Sequence, residues 1–74
     1  MNHEEIVKKM MEIAPGHKKY TISIMHTVLD DGTIWTTYFP HLDERCTSLS
    51  DESEIFEWVK DIYDRRSILF RKFA

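Results

Sequence analysis

Cysteine, glycine and proline are scarce in this 74-residue chain, which has one Cys, two Gly and two Pro. A single cysteine, Cys46, excludes an internal disulfide, and an unpaired thiol is typical of a reducing compartment. Two isolated glycines exclude a glycine-rich loop that cradles phosphate. The chain lacks both a signal peptide's apolar run near Met1 and a membrane-spanning run of about 20 apolar residues, so we expect a soluble cytoplasmic protein.

Patterns that carry catalysis or bind metal are also missing. The possible metal ligands are four histidines and Cys46, and they form no CxxC or HExxH pair. The serines cluster where a helix would begin, and capping explains them there. Because the possible ligands are scattered, we expect no metal site and no cofactor. A chain this short also has little volume to enclose a substrate, so we expect no enzymatic activity.

Aromatic residues are plentiful, with four Phe, three Tyr and two Trp, and 42% of the chain is apolar. This composition predicts a single globular domain over residues 1–74. The formal net charge is −3, which argues against a general nucleic-acid binder. Residues 30–64 contain ten acids against Arg45 and Lys60, whereas residues 65–74 contain four basic residues and no acid.

Two amphipathic helices are predicted at the ends of the chain. Asn2 with Glu5 is typical of a capping box, and Pro15 with Gly16 ends the first helix. Ser50 or Asp51 caps the second, which either runs nearly to the C-terminus or breaks near Ser67. The apolar stripes are Ile6, Val7, Met10, Ile13 and Ala14 in the first helix, and Ile55, Trp58, Val59, Ile62 and Tyr63 in the second, continued by Leu69, Phe70 and Phe73.

A β-hairpin is predicted between the helices. Residues 20–28 and 33–39 alternate with period two and are rich in β-branched side chains, and a turn signal at residues 30–32 separates them. Pro40 is expected to end the second strand. Residues 40–44 then form a loop, and residues 45–48 are a candidate short third strand.

The register of this hairpin has two alternatives. A two-residue turn at Asp31 and Gly32 places Ile24 opposite Phe39, and a three-residue turn with a bulge places Ile24 opposite Tyr38. A shift of one residue exchanges the two faces of the sheet. We favour the two-residue turn, because it gathers five large apolar side chains on one face. They are Ile22, Ile24, Val28, Trp35 and Phe39.

The fold class is therefore α+β, in the order α-β-β-β-α, with an antiparallel three-stranded sheet. Both helices are expected to cover one face of it. The other face would carry Met25, Ile34 and Tyr38 among threonines. Tyr and Met are enriched in interfaces, so we interpret these three side chains as a candidate contact surface for another protein.

Acidic residues form a candidate rim around that surface. Local roles explain most of them, since acids are common in turns and at the positive end of a helix dipole. Gathered in one patch, they would attract a basic partner and speed association. The candidate rim residues are Asp43, Glu44, Asp51, Glu52 and Glu54, with Asp30, Asp31 and Glu57 nearby in sequence.

The element order resembles that of double-stranded-RNA-binding domains. Residues 51–54 read DESE where those domains have a basic, small-residue-rich start to the last helix, so phosphate binding by that route is not expected. With its acidic surface and length, the order also resembles some phage-encoded anti-CRISPR inhibitors. That resemblance implies a small protein that inhibits another protein.

The leading functional hypothesis is a non-enzymatic protein-binding module, in the form of a small regulator or inhibitor from a phage or mobile element. The alternative is a structural or assembly protein that works as a homodimer, with Tyr38, Trp35 or Phe70 at the contact. A minimal nucleic-acid binder is a third hypothesis that net charge disfavours. Its candidate residues are Lys8, Lys9, Lys18, Lys19 and the basic C-terminal residues.

Overall fold

The computed structural model describes the backbone of residues 1–73 and the side chains of residues 1–65. The elements are α1 (His3–Ile13), β1 (Tyr20–Val28), β2 (Ile34–Leu42), β3 (Arg45–Cys46) and α2 (Glu52–Phe73). The strands form one antiparallel sheet in the order β1-β2-β3. The predicted α+β class and the order α-β-β-β-α are confirmed.

Helix α1 begins with the predicted capping box. The Glu5 N–H donates to Oδ1 of Asn2 at 2.8 Å, and the Asn2 N–H donates to the Glu5 carboxylate at 3.3 Å. These bonds satisfy two of the N–H groups that a helix start leaves unpaired. The helix ends before Pro15, and Gly16 follows with a φ of 90°.

The hairpin connection has three residues, so the favoured two-residue register is wrong and the alternative is correct. The Leu29 N–H donates to the Thr33 carbonyl at 2.8 Å, and the Gly32 N–H donates to the Leu29 carbonyl at 3.0 Å. Gly32 has a φ of 90°, which suits the left-handed position of a three-residue loop. In consequence Ile24 lies opposite Tyr38.

This register separates side chains that the sequence analysis grouped together. Side chains alternate along a strand, so even-numbered residues of β1 and β2 share one face and odd-numbered residues share the other. Ile34 and Tyr38 therefore lie on the opposite face from Met25. Trp35 and Phe39, which were expected with Ile22, lie on the face of Met25.

Both helices pack on the even-numbered face, as predicted. Ile22 from β1 and Leu42 from β2 meet buried side chains from α1 and α2 there. Lys9 also lies 4.2 Å above the ring of Phe56, which links the two helices. The buried apolar core consists of Ile6, Met10, Ala14, Ile22, Leu42, Ile55, Val59 and Ile62.

Pro40 does not end β2, contrary to expectation, but lies fully buried within it, opposite Ile22. The β2–β3 pairs and the Tyr38–Leu49 bridge share one register, which places Pro40 opposite Thr47. Because Tyr38 directs its N–H toward Leu49, residue 40 directs its nitrogen to the same side, where proline has no hydrogen to donate. The third strand has two residues instead of the predicted four.

Helix α2 begins after Asp51, whose Oδ1 accepts the Ser53 N–H at 3.1 Å and acts as the predicted cap. The helix runs to Phe73 without a break at Ser67. Ile55, Val59 and Ile62 are buried and half-buried neighbours pack beside them, as the stripe predicted. The predicted roles of six further side chains lie outside the described residues: Arg66, Leu69, Phe70, Arg71, Lys72 and Phe73.

Candidate functional site

The sheet face that neither helix covers is called the open face. It carries no aspartate, glutamate, lysine or arginine, although these make up 31% of the chain. Trp35 is 60% exposed and Met25 is 48% exposed. Aromatic residues and Met, combined with few charges, are typical of the centre of a protein interface. The open face consists of Thr21, Ser23, Met25, Thr27, Trp35, Thr37, Phe39 and His41 on β1 and β2, and of Cys46 on β3, opposite His41.

The three predicted contact residues do not form one surface. Met25 lies on the open face, whereas Tyr38 is half-buried and packs against the core on the other face. Ile34 is 63% exposed, but at the hairpin end of the helix-covered face. The favoured register placed Trp35 on the buried face, and only the homodimer alternative put it at a contact, because its exposure depends on the hairpin register.

The acids do not gather into one patch either. Asp31 lies at the hairpin tip and Asp43 at the other end of β2, a strand of nine residues and therefore about 30 Å long. Asp31 accepts the Thr33 N–H at 2.9 Å, and its pKa is lowered mainly by the Thr33 side chain and then by this N–H. Glu52 lies 3.4 Å from the Met1 amino group. Asp51, Glu52 and Glu54 lie around the start of α2. Asp43 and Glu44 lie in the β2–β3 turn, at the opposite end of β2 from the hairpin tip.

Asp43 is the most highly connected acid. Its Oδ1 accepts the N–H groups of Lys18 at 2.7 Å and Lys19 at 3.0 Å, and its Oδ2 lies 2.9 Å from Nδ1 of His17. The bond from His17 is the main cause that lowers the pKa of Asp43. Asp43 also has a φ of 55°, a left-handed conformation, and its N–H donates to the Lys19 carbonyl at 2.9 Å.

His17 is held from several sides. Its side chain is only 7% exposed, and its ring meets the ring of Tyr20 edge-on at 6.0 Å. The His17 N–H donates to the Tyr20 hydroxyl at 3.0 Å, and that hydroxyl donates to the Ala14 carbonyl. The ring atom Nε2 is buried without a hydrogen-bond partner.

A cavity of about 370 Å³ lies beside the Asp43 turn. It joins four parts of the chain: the α1–β1 connection, the β2–β3 turn, β3 and α2. Three of its described residues are cationic, and they come from three of these parts. The lining residues are Gly16, His17, Lys18, Asp43, Arg45, Ile62 and Arg65.

The outer edge of β1 is a further candidate surface. Odd-numbered residues of β1 bond to β2, so the N–H and C=O groups of even-numbered residues point away from the sheet. A mostly apolar groove of about 440 Å³ separates this edge from α1. It is lined by His3, Glu4, Val7, Lys8, Tyr20, Thr21 and Ile22.

Comparisons of the chain with protein-family models, curated proteins and solved structures give no match. Among the described residues, no three or more His, Cys, Asp and Glu side chains group as a metal site. Within that same part of the chain, no helix is long and apolar enough to cross a membrane. The fold and surfaces define a small α+β domain with an uncharged, uncovered sheet face.

Proposed function

We propose that this protein is a non-enzymatic protein-binding module whose binding surface is the open face. The supporting observation is the combination of Trp35, 60% exposed, with Met25, 48% exposed, on a face without an acidic, lysine or arginine side chain. Exposed aromatic side chains near the centre of a patch supply most of the binding energy in many interfaces. The partner is another protein with a complementary apolar patch.

Acidic side chains border the open face and suit a partner with basic residues around its patch. Asp30 and Asp31 lie at the hairpin tip, where β1 and β2 meet. Asp51 follows Ser50, which lines a cavity with Trp35 along the β2 edge. Charges at a rim steer association more than they add affinity, so this acidic border would mainly raise the association rate.

The biological form that we propose is a small cytoplasmic regulator or inhibitor of the kind that phages and mobile elements encode. The exposed single thiol of Cys46 suits a reducing compartment. A gene located among phage or defence genes would support this form, and a conserved place in a metabolic operon would contradict it.

The binding surface is tested by affinity capture from the source cell's lysate with three immobilised proteins: the wild type, Trp35→Glu and Met11→Glu. Met11 is 49% exposed on α1 and gives a matched control for an apolar-to-acid change away from the open face. We expect one partner with the wild type and Met11→Glu, and its loss with Trp35→Glu. Equal capture by all three proteins would contradict the proposal.

Salt separates the two parts of the proposed surface. Repeating the capture at high ionic strength screens exposed charges but leaves apolar contacts intact. Weaker capture at high salt would support the acidic border. Capture that does not change with salt would assign the binding to the open face alone.

A homodimer is a second candidate function, favoured by the outer edge of β1. Edge strands are commonly protected by lysine, proline or a bulge, and β1, with the sequence YTISIMHTV, has no lysine or proline and pairs with β2 without a bulge. An uncharged strand also meets its own copy without like-charge repulsion. Antiparallel pairing of two β1 strands would join two sheets into one with six strands.

The two ends of β1 are complementary in this arrangement. Val28 is 68% exposed on the helix-covered face, and the groove beside α1 lies at Tyr20 and Ile22. A two-fold axis through Ile24 places Val28 of one copy next to Tyr20 of the other, beside that groove. Each copy supplies both the protruding side chain and the groove, as a symmetric interface requires.

Sedimentation equilibrium at micromolar concentration tests the dimer with His26→Pro. His26 is exposed and its N–H points outward, so proline there removes an intermolecular donor without removing a β1–β2 bond. We expect a dimer for the wild type and a folded monomer for His26→Pro. A wild type that remains monomeric would remove this candidate, and so would a dimer that His26→Pro leaves unchanged.

A further inference from the structure

We propose that the cavity beside the Asp43 turn binds the phosphate group of a hydroxyl-bearing small molecule, such as a sugar phosphate. The chain as a whole is acidic, yet three of the seven described residues that line this cavity are cationic. Lys18 precedes β1, Arg45 lies in β3 and Arg65 lies in α2. Cations from three distant parts of a chain with net charge −3 thus converge on one cavity.

Two of these cations have no acidic partner among the described side chains. The salt bridges of the described side chains include none from Lys18 or Arg45. Arg65 uses only Nη2 to contact Asp61, at 2.9 Å, and keeps other N–H donors. Arginine donors match phosphate oxygens in pairs, and lysine adds a point charge.

Among the described residues of the cavity wall, Asp43 is the one carboxylate, and it already has three hydrogen-bond partners. Asp43 accepts hydrogen bonds from the Lys18 and Lys19 N–H groups and from His17. These three donors offset its charge locally, so its repulsion of a second anion is weak beside the attraction of the three cations. The carboxylate thereby acts as part of the wall and not as a competing ligand.

His17 supplies the polar contact for the rest of the ligand. An ionised carboxylate only accepts hydrogen bonds, so Nδ1 of His17 carries the proton that faces Asp43. In the neutral ring, Nε2 is then an acceptor, and it is buried without a partner. A buried polar atom without a hydrogen bond is costly, and a small displacement of the His17 ring toward the cavity would let a ligand hydroxyl satisfy Nε2.

The size of the cavity suits a whole small molecule. Cavities of about 300–1,000 Å³ hold such ligands, and this one measures about 370 Å³. Ile62 provides an apolar wall for the carbon skeleton. The ligand would therefore place its phosphate between the cations and a hydroxyl near His17.

The test titrates the full chain with ribose 5-phosphate, inorganic phosphate and unphosphorylated ribose, followed by amide and imidazole nitrogen NMR. We expect saturable shifts of the Lys18 and Arg45 amides with both phosphates and none with ribose. The His17 Nε2 signal should move with ribose 5-phosphate only. Arg45→Gln should weaken binding of ribose 5-phosphate about tenfold or more, because it removes a charged hydrogen-bond donor.

Lys60→Gln is the matched control, since Lys60 is exposed on α2, outside the cavity lining, and carries the same charge. Its affinity for ribose 5-phosphate should match that of the wild type. Equal weakening by both variants would show general charge attraction and overturn the proposal, as would the absence of saturable shifts. Duplex RNA that binds more tightly than ribose 5-phosphate, with the same sensitivity to Arg45→Gln, would overturn the small-molecule assignment.

Discussion

Nδ1 of His17 lies 2.9 Å from Oδ2 of Asp43, although 26 residues separate them in the chain. The same carboxylate binds the N–H groups of Lys18 and Lys19. One side chain in the β2–β3 turn thus fixes the connection that leads from α1 into β1. It also holds the His17 ring at the wall of the candidate phosphate cavity.

The Asp43 interactions predict a pH-dependent stability. The pKa of Asp43 is lowered in the folded protein, mainly by His17, so the ionised carboxylate stabilises the fold. This contribution is fully present above the unfolded pKa of about 3.9 and is lost as the pH falls through the lower folded value. Asp43→Asn should therefore lower the Tm at neutral pH, and the difference from wild type should shrink in acid.

Thermal unfolding between pH 7 and pH 3 measures this effect, with Glu44→Gln as the neighbouring control. Glu44 is exposed in the same turn, and no ion pair joins its side chain to another described residue. Its substitution should leave the Tm nearly unchanged. A constant Tm difference between Asp43→Asn and wild type across this range would show that ionisation of Asp43 does not stabilise the fold.

The hairpin register predicts that two aromatic residues of β2 contribute very different amounts to the free energy of unfolding. Trp35 is 60% exposed on the open face, so Trp35→Ala should lower the free energy of unfolding by about 0.5 kcal/mol or less. Tyr38 is half-buried against the core, so Tyr38→Ala should cost roughly 1–3 kcal/mol. Urea unfolding of both variants measures the difference, and a larger cost at Trp35 would contradict the register.

A direct check of the register uses the α-hydrogens. Ile24 and Tyr38 form a pair that does not exchange backbone hydrogen bonds, and such pairs have Cα atoms only about 4.5 Å apart. A strong nuclear Overhauser effect should therefore connect their α-hydrogens. The same signal between Met25 and Tyr38 would indicate the two-residue turn instead, because that register makes them the pair without backbone hydrogen bonds.

The sequence predicted the element order and both helix caps, because those features depend on neighbours a few residues apart. It did not determine the register, since Gly32 suits a positive φ in either connection. Each register also places two large apolar residues of β2 on the helix-covered face, Ile34 with Tyr38 or Trp35 with Phe39. The His17–Asp43 contact could not be predicted, because it joins two loops that only the completed sheet brings together.

The cap of α2 predicts a modest, specific loss of stability. Asp51 accepts the Ser53 N–H at 3.1 Å, and removing such a cap costs about 0.5–2 kcal/mol. Asp51→Ala should therefore lower the free energy of unfolding by about 1 kcal/mol, whereas Asp51→Asn, which keeps the acceptor, should lose much less. Equal losses in urea unfolding would assign the effect to charge and not to the cap.

Pro40 limits the third strand, so replacing it should lengthen that strand. Pro40→Val supplies an N–H opposite Thr47 in the register shared by β3 and the Tyr38–Leu49 bridge. We expect the new amide to be protected from hydrogen exchange and the free energy of unfolding to change by about 1 kcal/mol or less, because valine fills similar space but frees the unfolded chain. The change would test whether a missing donor, and not the sequence of residues 45–48, stops the sheet.

Two amides of β2 provide internal references for that exchange measurement. The Tyr38 N–H is bonded to Leu49 at 2.7 Å and should exchange slowly, whereas the Thr36 N–H points to the same side beyond the last bridge and should exchange quickly. If the amide at residue 40 exchanges like that of Tyr38, the proline is what interrupts the sheet. If it exchanges like that of Thr36, residues 45–48 and not the proline keep the third strand short. Those residues would then lack the packing needed to stay paired, even with every backbone donor in place.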